Sequence, residues 1–139
     1  MAQSETILPI NTHPDDSTIT TVTGDKFKGD GYYGRSDGLH TIQVNLTGFT
    51  GQIEIQGTLA VSPTDDDWFN VELATNTTVA GTVDTTGAVS SGSTVIVSSL
   101  SFDDSTANNN YNFTGNYVWV RAYVSNWTSG SINKIMLNH

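Results

Sequence analysis

The densest group of side chains with metal-binding chemistry is the run 65–67, three consecutive Asp residues in a polar loop. Carboxylates bind calcium, but that ion needs about six to eight oxygen ligands around it. Three adjacent carboxylates on a simple loop cannot all point at one ion, and the alternating spacing of a calcium-binding loop is absent from the sequence. A second set, Asp25, Asp30 and Asp37, lies in a glycine-rich stretch and lacks that spacing too. Both sets are interpreted as solvated turns, so the sequence predicts no metal.

The three histidines stand far apart in the sequence, and none has a carboxylate four residues away. His40 alternates with Ile42 and Val44 along one face of a strand pattern, which favours a histidine in or beside the core. His139 is the last residue given, and we expect it to carry no chemistry. His13 lies in a turn-rich segment, and no catalytic role follows from its neighbours.

Enzymatic motifs are missing from the rest of the chain. There is no Gly-x-Ser-x-Gly segment for a serine nucleophile. Glu54 and Glu72 are predicted on the solvent faces of strands, which does not favour a pair of hydrolytic carboxylates. The glycine-rich segment 29–34 neither follows a strand nor precedes a helix, so it is not a phosphate-binding loop. With no Cys for thiolate or zinc chemistry, the chain is predicted to be no enzyme, with no catalytic residue and no cofactor.

Aromatic side chains offer the one ligand-binding chemistry that the spacing allows. Trp68, Trp119 and Trp127 could stack on the apolar faces of sugars. Trp119 lies in a dense strand pattern and is expected in the core. Trp68 and Trp127 flank loops and are the candidate sugar-facing residues, with packing in the core or between subunits as the alternative.

Charge and hydropathy exclude several classes of partner. The 139 residues hold 14 acidic and 5 basic side chains, a formal net charge of −9. That balance argues against phosphate-driven nucleic-acid binding and against docking on an anionic membrane. No apolar stretch approaches the ~20 residues of a membrane span, and the basic region followed by an apolar one that is typical of a signal peptide is not found, so none is expected. We expect a protein that stays in the cytoplasm or leaves the cell by lysis.

The positions of these residues follow from an all-β pattern. Strand-favouring residues outnumber helix-favouring ones about two to one. Apolar residues alternate over 39–47 and 52–60, which with the Gly-bounded segment 48–51 predicts a β-hairpin. Bulky residues on both faces of 117–124 predict a central strand. Residues 103–110 are predicted to form a loop, and residues 126–130 a turn. The fold class predicted for residues 25–139 is a single antiparallel β-sandwich, jelly-roll-like, with about eight strands.

Residues 1–24 are predicted to form an extended N-terminal arm. The turn-rich segment 11–17 separates its apolar residues from the sandwich. Such an arm either packs on a neighbouring subunit or frays. The residues proposed to anchor it in an assembly are Ile7, Leu8, Ile10 and Ile19.

Two blocks, 30–73 and 115–137, resemble small virion structural proteins of tailed bacteriophages, especially the contractile-tailed phages of marine cyanobacteria. The segments that carry the resemblance are Gly-Leu-His-Thr at 38–41, Gly-x-Ile-x-Ile-Gln-Gly-Thr-Leu at 51–59, Pro-Thr-x-x-Asp-Trp at 63–68, Arg121 and Gly130. The Thr/Ser/Gly-rich stretch near 75–93 is not part of the pattern.

The resemblance implies a jelly-roll-like sandwich that serves as a non-enzymatic virion component, in the capsid decoration, neck, tail or baseplate. Its partners would be other virion proteins and copies of itself, and its location the virion, assembled in the host cytoplasm. The alternative is a carbohydrate-binding module that attaches to host-surface glycans through Trp68 or Trp127.

Overall fold

The chain forms an antiparallel β-sheet in a computed structural model that describes residues 4–34, 38–77 and 93–139. The strands are β1 (Ser4–Leu8), β2 (Asn11–Thr12), β3 (Val22–Thr23), β4 (Phe27–Lys28), β5 (Leu39–Thr58), β6 (Phe69–Asn70), β7 (Leu73–Thr77), β8 (Ser93–Val97), β9 (Leu100–Thr114) and β10 (Trp119–Asn138). The helical content of the described residues is one 3-10 turn, Asp65–Asp67. The prediction of an all-β antiparallel fold is confirmed, and the jelly-roll-like sandwich stays a prediction.

Two strands of 20 residues, β5 and β10, lie at the centre of the sheet. The hydrogen-bonded order is β1-β10-β5-β9-β7-β8, and β6 also pairs with β5. The short strands β2, β3 and β4 pair with successive parts of β10, in line with β1. Residues 4–28 therefore run along one edge of β10. None of the described residues forms a helix with the length and apolarity needed to cross a membrane.

The predicted hairpin at 48–51 is wrong, because this segment lies inside β5. The strand pairs with β10 both before and after it, from Thr41 to Thr58, with shifts of register in the middle. Gly48 takes a left-handed conformation with φ 57°. A bulge within a strand and a tight turn between strands both favour glycine, because both need a left-handed backbone conformation. Gly48 therefore fits either structure, and the sequence pattern did not distinguish them.

The predicted turn at 126–130 is likewise an interior bend, here of β10. Asn126 and Gly130 have φ 49° and 84° there. A β-carbon added to Gly130 would overlap the carbonyl oxygen of Gly48. The bends of the two long strands are therefore in direct contact.

The predicted loop 103–110 is also strand, within β9. The Asn side chains of this segment bond across the sheet: the side-chain amide of Gln43 donates to the side-chain amide oxygen of Asn108 at 2.7 Å. Farther along, the Thr41 hydroxyl donates to the amide oxygen of Asn112 at 2.8 Å. Asn is common in turns because its side chain can hydrogen-bond to the nearby backbone. Here the hydrogen bonds of the Asn side chains are made to side chains of the neighbouring strand instead.

One hydrophobic cluster takes side chains from both halves of each long strand. Its members in β5 and β10 with no exposed surface are Ile42, Val44, Phe49, Ile53, Ile55, Val120, Ala122, Val124, Ile132, Ile135 and Leu137. His40 is buried among them and stacks on Phe113 with ring centroids 4.5 Å apart, as predicted for a core histidine. Since both halves share a single core, the sheet must curve around it.

The proposed anchors of the arm separate into two groups. Ile7 and Leu8 are only 1% and 3% exposed, because β1 pairs with β10 and turns them into the core of the same chain. The expectation that these two residues reach a neighbour is therefore corrected. Ile10 and Ile19 are exposed, at 69% and 40%.

Candidate functional site

An exposed group of aromatic and basic side chains lies where β4 meets the first residues of β10. Trp119 is paired with Lys28 on one side and with Thr58 on the other. We define the aromatic–lysine patch by its five members, which are Lys26, Lys28, Tyr32, Val61 and Trp119.

Cation–π contacts hold the aromatic–lysine patch together. The Lys26 ammonium lies 4.5 Å from the centre of the Trp119 ring, and the Lys28 ammonium 4.6 Å from that of Tyr32. The Tyr32 and Trp119 rings are 5.1 Å apart. The Trp119 indole N–H donates to the carbonyl oxygen of Val61 at 2.9 Å. Contacts of this kind are worth about 0.5–1 kcal/mol each at exposed sites, so together they favour this arrangement of rings and charges.

Trp119 is half-buried on the outer face of the sheet, which corrects its expected place in the core. Alternation turns Val120 inward, with no exposed surface, and its neighbours in sequence outward. The sequence could not decide which face of this strand is the inner one, because both carry bulky residues.

Apolar surface surrounds the aromatic–lysine patch. Tyr32 is 44% exposed, Val61 73% and the nearby Leu59 65%. Leu59 directly follows Thr58, the partner of Trp119. Clustered exposure of this kind is typical of surfaces that bind other molecules. Sequence reasoning missed this surface, because it assigned Trp119 to the core and found no pattern that joins Trp119 to the lysines.

Trp68, a predicted sugar-facing residue, lies next to this surface but has one ring face covered. The Arg121 guanidinium lies 4.3 Å from the ring centre, and its Nε donates to the Gln56 side chain at 2.8 Å. Burial lowers the pKa of Arg121, while the nearby Asp65 opposes that shift. One face of the Trp68 ring is therefore occupied by Arg121 of the same chain.

Trp127, the other predicted sugar-facing residue, is 2% exposed, and this prediction is wrong. Its ring meets that of His13 edge-on at 4.9 Å. His13 accepts the Asp15 N–H at Nδ1, at 3.1 Å, and its Nε2 lies 2.9 Å from the carbonyl oxygen of Ile19. The bend of β10 turns Trp127 under this loop, where no sugar can reach it.

The acidic run 65–67 forms a capped turn. The Asp67 carboxylate accepts both the backbone N–H of Thr64, at 2.7 Å, and its hydroxyl, at 3.1 Å. Within the described ranges, no three His, Asp or Glu side chains are placed to hold a metal ion. Asp37, a member of the second acidic set, lies outside the described residues.

A buried polar cluster unites residues that the sequence analysis kept apart. The His139 Nδ1 and Asp30 Oδ1 atoms are 2.9 Å apart, with both side chains at most 2% exposed. The Asp30 N–H donates to Nε2 of His40 at 3.3 Å, so the proton of His40 is assigned to Nδ1, which donates to the Gly38 carbonyl at 2.8 Å. These contacts join positions up to 109 residues apart in the sequence. No pattern among neighbouring residues could have predicted them.

The Asp30→Asn substitution is expected to lower the free energy of unfolding by about 1–3 kcal/mol, because it weakens a buried polar contact to His139. Asp103→Asn is the matched control, since Asp103 is exposed, and should stay within about 0.5 kcal/mol of wild type. Urea unfolding followed by tryptophan fluorescence measures both. Equal midpoints for the two variants would show that the contact to His139 contributes nothing to stability.

A groove of about 930 Å³ lies beside β5 and β9, and the described residues that line it carry no charged side chain. Its polar groups are carboxamides and hydroxyls, among them those of Gln43, Asn108 and Asn138. Apolar surface from Phe102 and Tyr111 adds to them. These side chains can hydrogen-bond a neutral polar molecule.

The chain matches no protein-family model and no curated protein sequence. Among solved structures, it is similar to the crystal structure of the SPBc2 prophage-derived protein YomS, with a TM-score of 0.55. The likeness covers 100% of this chain and 94% of that one, at 13% sequence identity. At that identity the comparison establishes a shared fold over the full length, and no more.

Proposed function

We propose that this protein is a non-enzymatic structural component of a phage virion. The observation that carries the proposal is the fold likeness over the whole chain to a protein derived from a prophage. The resemblance of blocks 30–73 and 115–137 to virion proteins of tailed phages supports the same role. Capsid decoration, neck, tail and baseplate are all compatible with it, and the protein would be assembled into particles in the host cytoplasm.

The surface chemistry suits attachment to other proteins. Aromatic residues and Arg are enriched at the centres of protein interfaces, and this is the composition found around Trp119 and Arg121. Ile10 and Ile19 provide a second exposed apolar surface. The partners we propose are other virion proteins and further copies of this chain.

The carbohydrate alternative is not favoured by the geometry of its two candidate residues. Trp127 is buried, and Arg121 covers one face of Trp68. The virion role needs neither ring to be free.

Quantitative mass spectrometry of gradient-purified particles tests the proposal. We expect the chain at a fixed copy number per particle. A tagged copy with Val61→Asp, supplied in trans, should incorporate at least about tenfold less than wild type, because a charge at the centre of an interface is strongly unfavourable.

Ile96→Asp is the matched control, since Ile96 is similarly exposed, at 62%, but lies on strand β8, away from Trp119. It should incorporate as well as wild type. Absence of the chain from purified particles would refute the virion role. Equal incorporation of both variants would refute the part assigned to the surface around Trp119.

A further inference from the structure

Charge is distributed unequally over the described surface. Lys26, Lys28 and Arg121 are three of its four basic residues, and all three lie at or beside the aromatic–lysine patch. Among the acidic residues nearby, Asp65 partly offsets the charge of Arg121, and Asp25 directly precedes Lys26. The two lysines therefore form the positive part of this surface.

An acidic surface lies at the bend of the long strands. We define the acidic bend by four exposed residues, Asp15, Asp16, Asp103 and Asp104. On one side of the bend, the His13 N–H donates to the Gly130 carbonyl at 3.0 Å and positions Asp15. On the other side, the Asp104 N–H donates to the Thr50 hydroxyl at 2.9 Å. The strand order β2-β10-β5-β9 separates the two pairs by three strand spacings, about 14 Å.

The acidic bend and the aromatic–lysine patch lie at opposite ends of the first half of β10. From Trp119 to the bend at Asn126 the strand runs seven residues, or about 23 Å at ~3.3 Å per residue. At the acidic end, the Asp16 carboxylate accepts the Thr18 N–H at 3.0 Å and its hydroxyl at 2.7 Å. These bonds lower the pKa of Asp16, so it keeps its charge in mildly acidic solution.

Apolar side chains accompany the charges at both ends. Ile10 and Ile19 are exposed near the acidic bend, as Tyr32 and Val61 are at the patch. A cavity of about 260 Å³ at this end is lined by His13, Asp15 and Trp127 among others. The two ends are therefore complementary: they carry opposite charges, and each has apolar surface that association could bury.

We infer that the aromatic–lysine patch of one copy binds the acidic bend of a second copy, head to tail. Because the two surfaces differ, every bound copy leaves one free surface of each kind. Such a heterologous contact closes into a ring or continues as a filament, according to the rotation between copies. The biological purpose of this contact rests on the proposed virion role, in which the second copy is one of the partners. The self-association itself can be measured without particles.

Sedimentation velocity of the full chain, from about 1 to 500 μM, tests the contact in the affinity range of transient interfaces. Wild type should form oligomers larger than dimers, whose size increases with concentration. Raising NaCl from about 0.05 to 1 M should weaken association at least about tenfold, as the Debye length falls from more than about 10 Å to ~3 Å.

Two neutralised variants separate the surfaces. K26Q/K28Q removes the charge of the patch, and D15N/D16N removes half that of the bend while retaining the bond to Thr18. Each alone should associate at least about tenfold more weakly than wild type. Mixed in equal amounts they should form 1:1 dimers and no larger species, because one intact patch then meets one intact bend. Unchanged far-UV circular dichroism shows that both variants are folded.

Three results would overturn the inference. A wild-type monomer at every concentration would show that the surfaces serve another partner. Dimers only, in wild type, would indicate a symmetric contact. Variants that associate as strongly as wild type would place the contact elsewhere. None of these bears on whether the chain occurs in particles, which mass spectrometry decides separately.

Discussion

Deletion of residues 1–17 is expected to destabilise the domain strongly, with unfolding at ordinary temperature as the extreme outcome. The deletion removes Ile7 and Leu8 from the core, and each buried aliphatic side chain contributes about 1.5–3 kcal/mol. It also uncovers the edge of β10 that β1 and β2 occupy. Since a domain of this kind is stable by only about 5–15 kcal/mol, the combined loss is a large part of the total. Thermal unfolding monitored by circular dichroism measures it.

A pair of point variants checks the reason for this effect. Ile7→Ala should cost about 2–5 kcal/mol, whereas Ile10→Ala, at a residue that is 69% exposed, should change stability by about 0.5 kcal/mol or less. Should the truncated chain unfold at the temperature of the full one, β1 does not belong to this core, and residues 1–17 would again be candidates for a free arm.

The second large effect is expected from Gly130→Ala. This glycine has φ 84°, and an added β-carbon would overlap the carbonyl oxygen of Gly48. The left-handed conformation costs Ala about 1–2 kcal/mol, and overpacking adds about 1–3 kcal/mol because two bent strands must move apart. We therefore expect a loss of about 2–5 kcal/mol in the free energy of unfolding in urea.

Gly34→Ala is the matched control, since Gly34 has a similar φ of 69° but nothing within 4 Å of the added carbon. It should cost only the backbone penalty of about 1–2 kcal/mol. If the two variants lose the same stability, the close contact between the bends of β5 and β10 does not exist, and the backbone conformation alone explains the effect.

Alternation of apolar residues predicted much of the sheet from the sequence. The buried positions Ile42, Val44 and Leu46 follow the period of two that a half-buried strand requires, and Ile53 and Ile55 do the same. The position of His40 in the core came from the same pattern. These features are local, so a single strand is enough to reveal them.

The bends are where local patterns failed. In β5 the buried positions change from even numbers to odd ones between Leu46 and Phe49, and in β10 the same happens between Val124 and Trp127. A bulge adds one residue and so exchanges the two faces of a strand. For this reason Trp127 lies in the core although its sequence neighbours suggested the edge of a loop.

The sequence by itself determined the class of fold, the alternating strands and the acidic balance, because these depend on residue type and on neighbours two positions apart. The tertiary structure decided that Ile7 and Leu8 belong to the core, and that Lys26 meets Trp119. It also joined Asp30 to His139. Each of these contacts depends on the pairing of strands distant in sequence, and the register of that pairing is set by bulges that the chain forms only when the two long strands bend against each other.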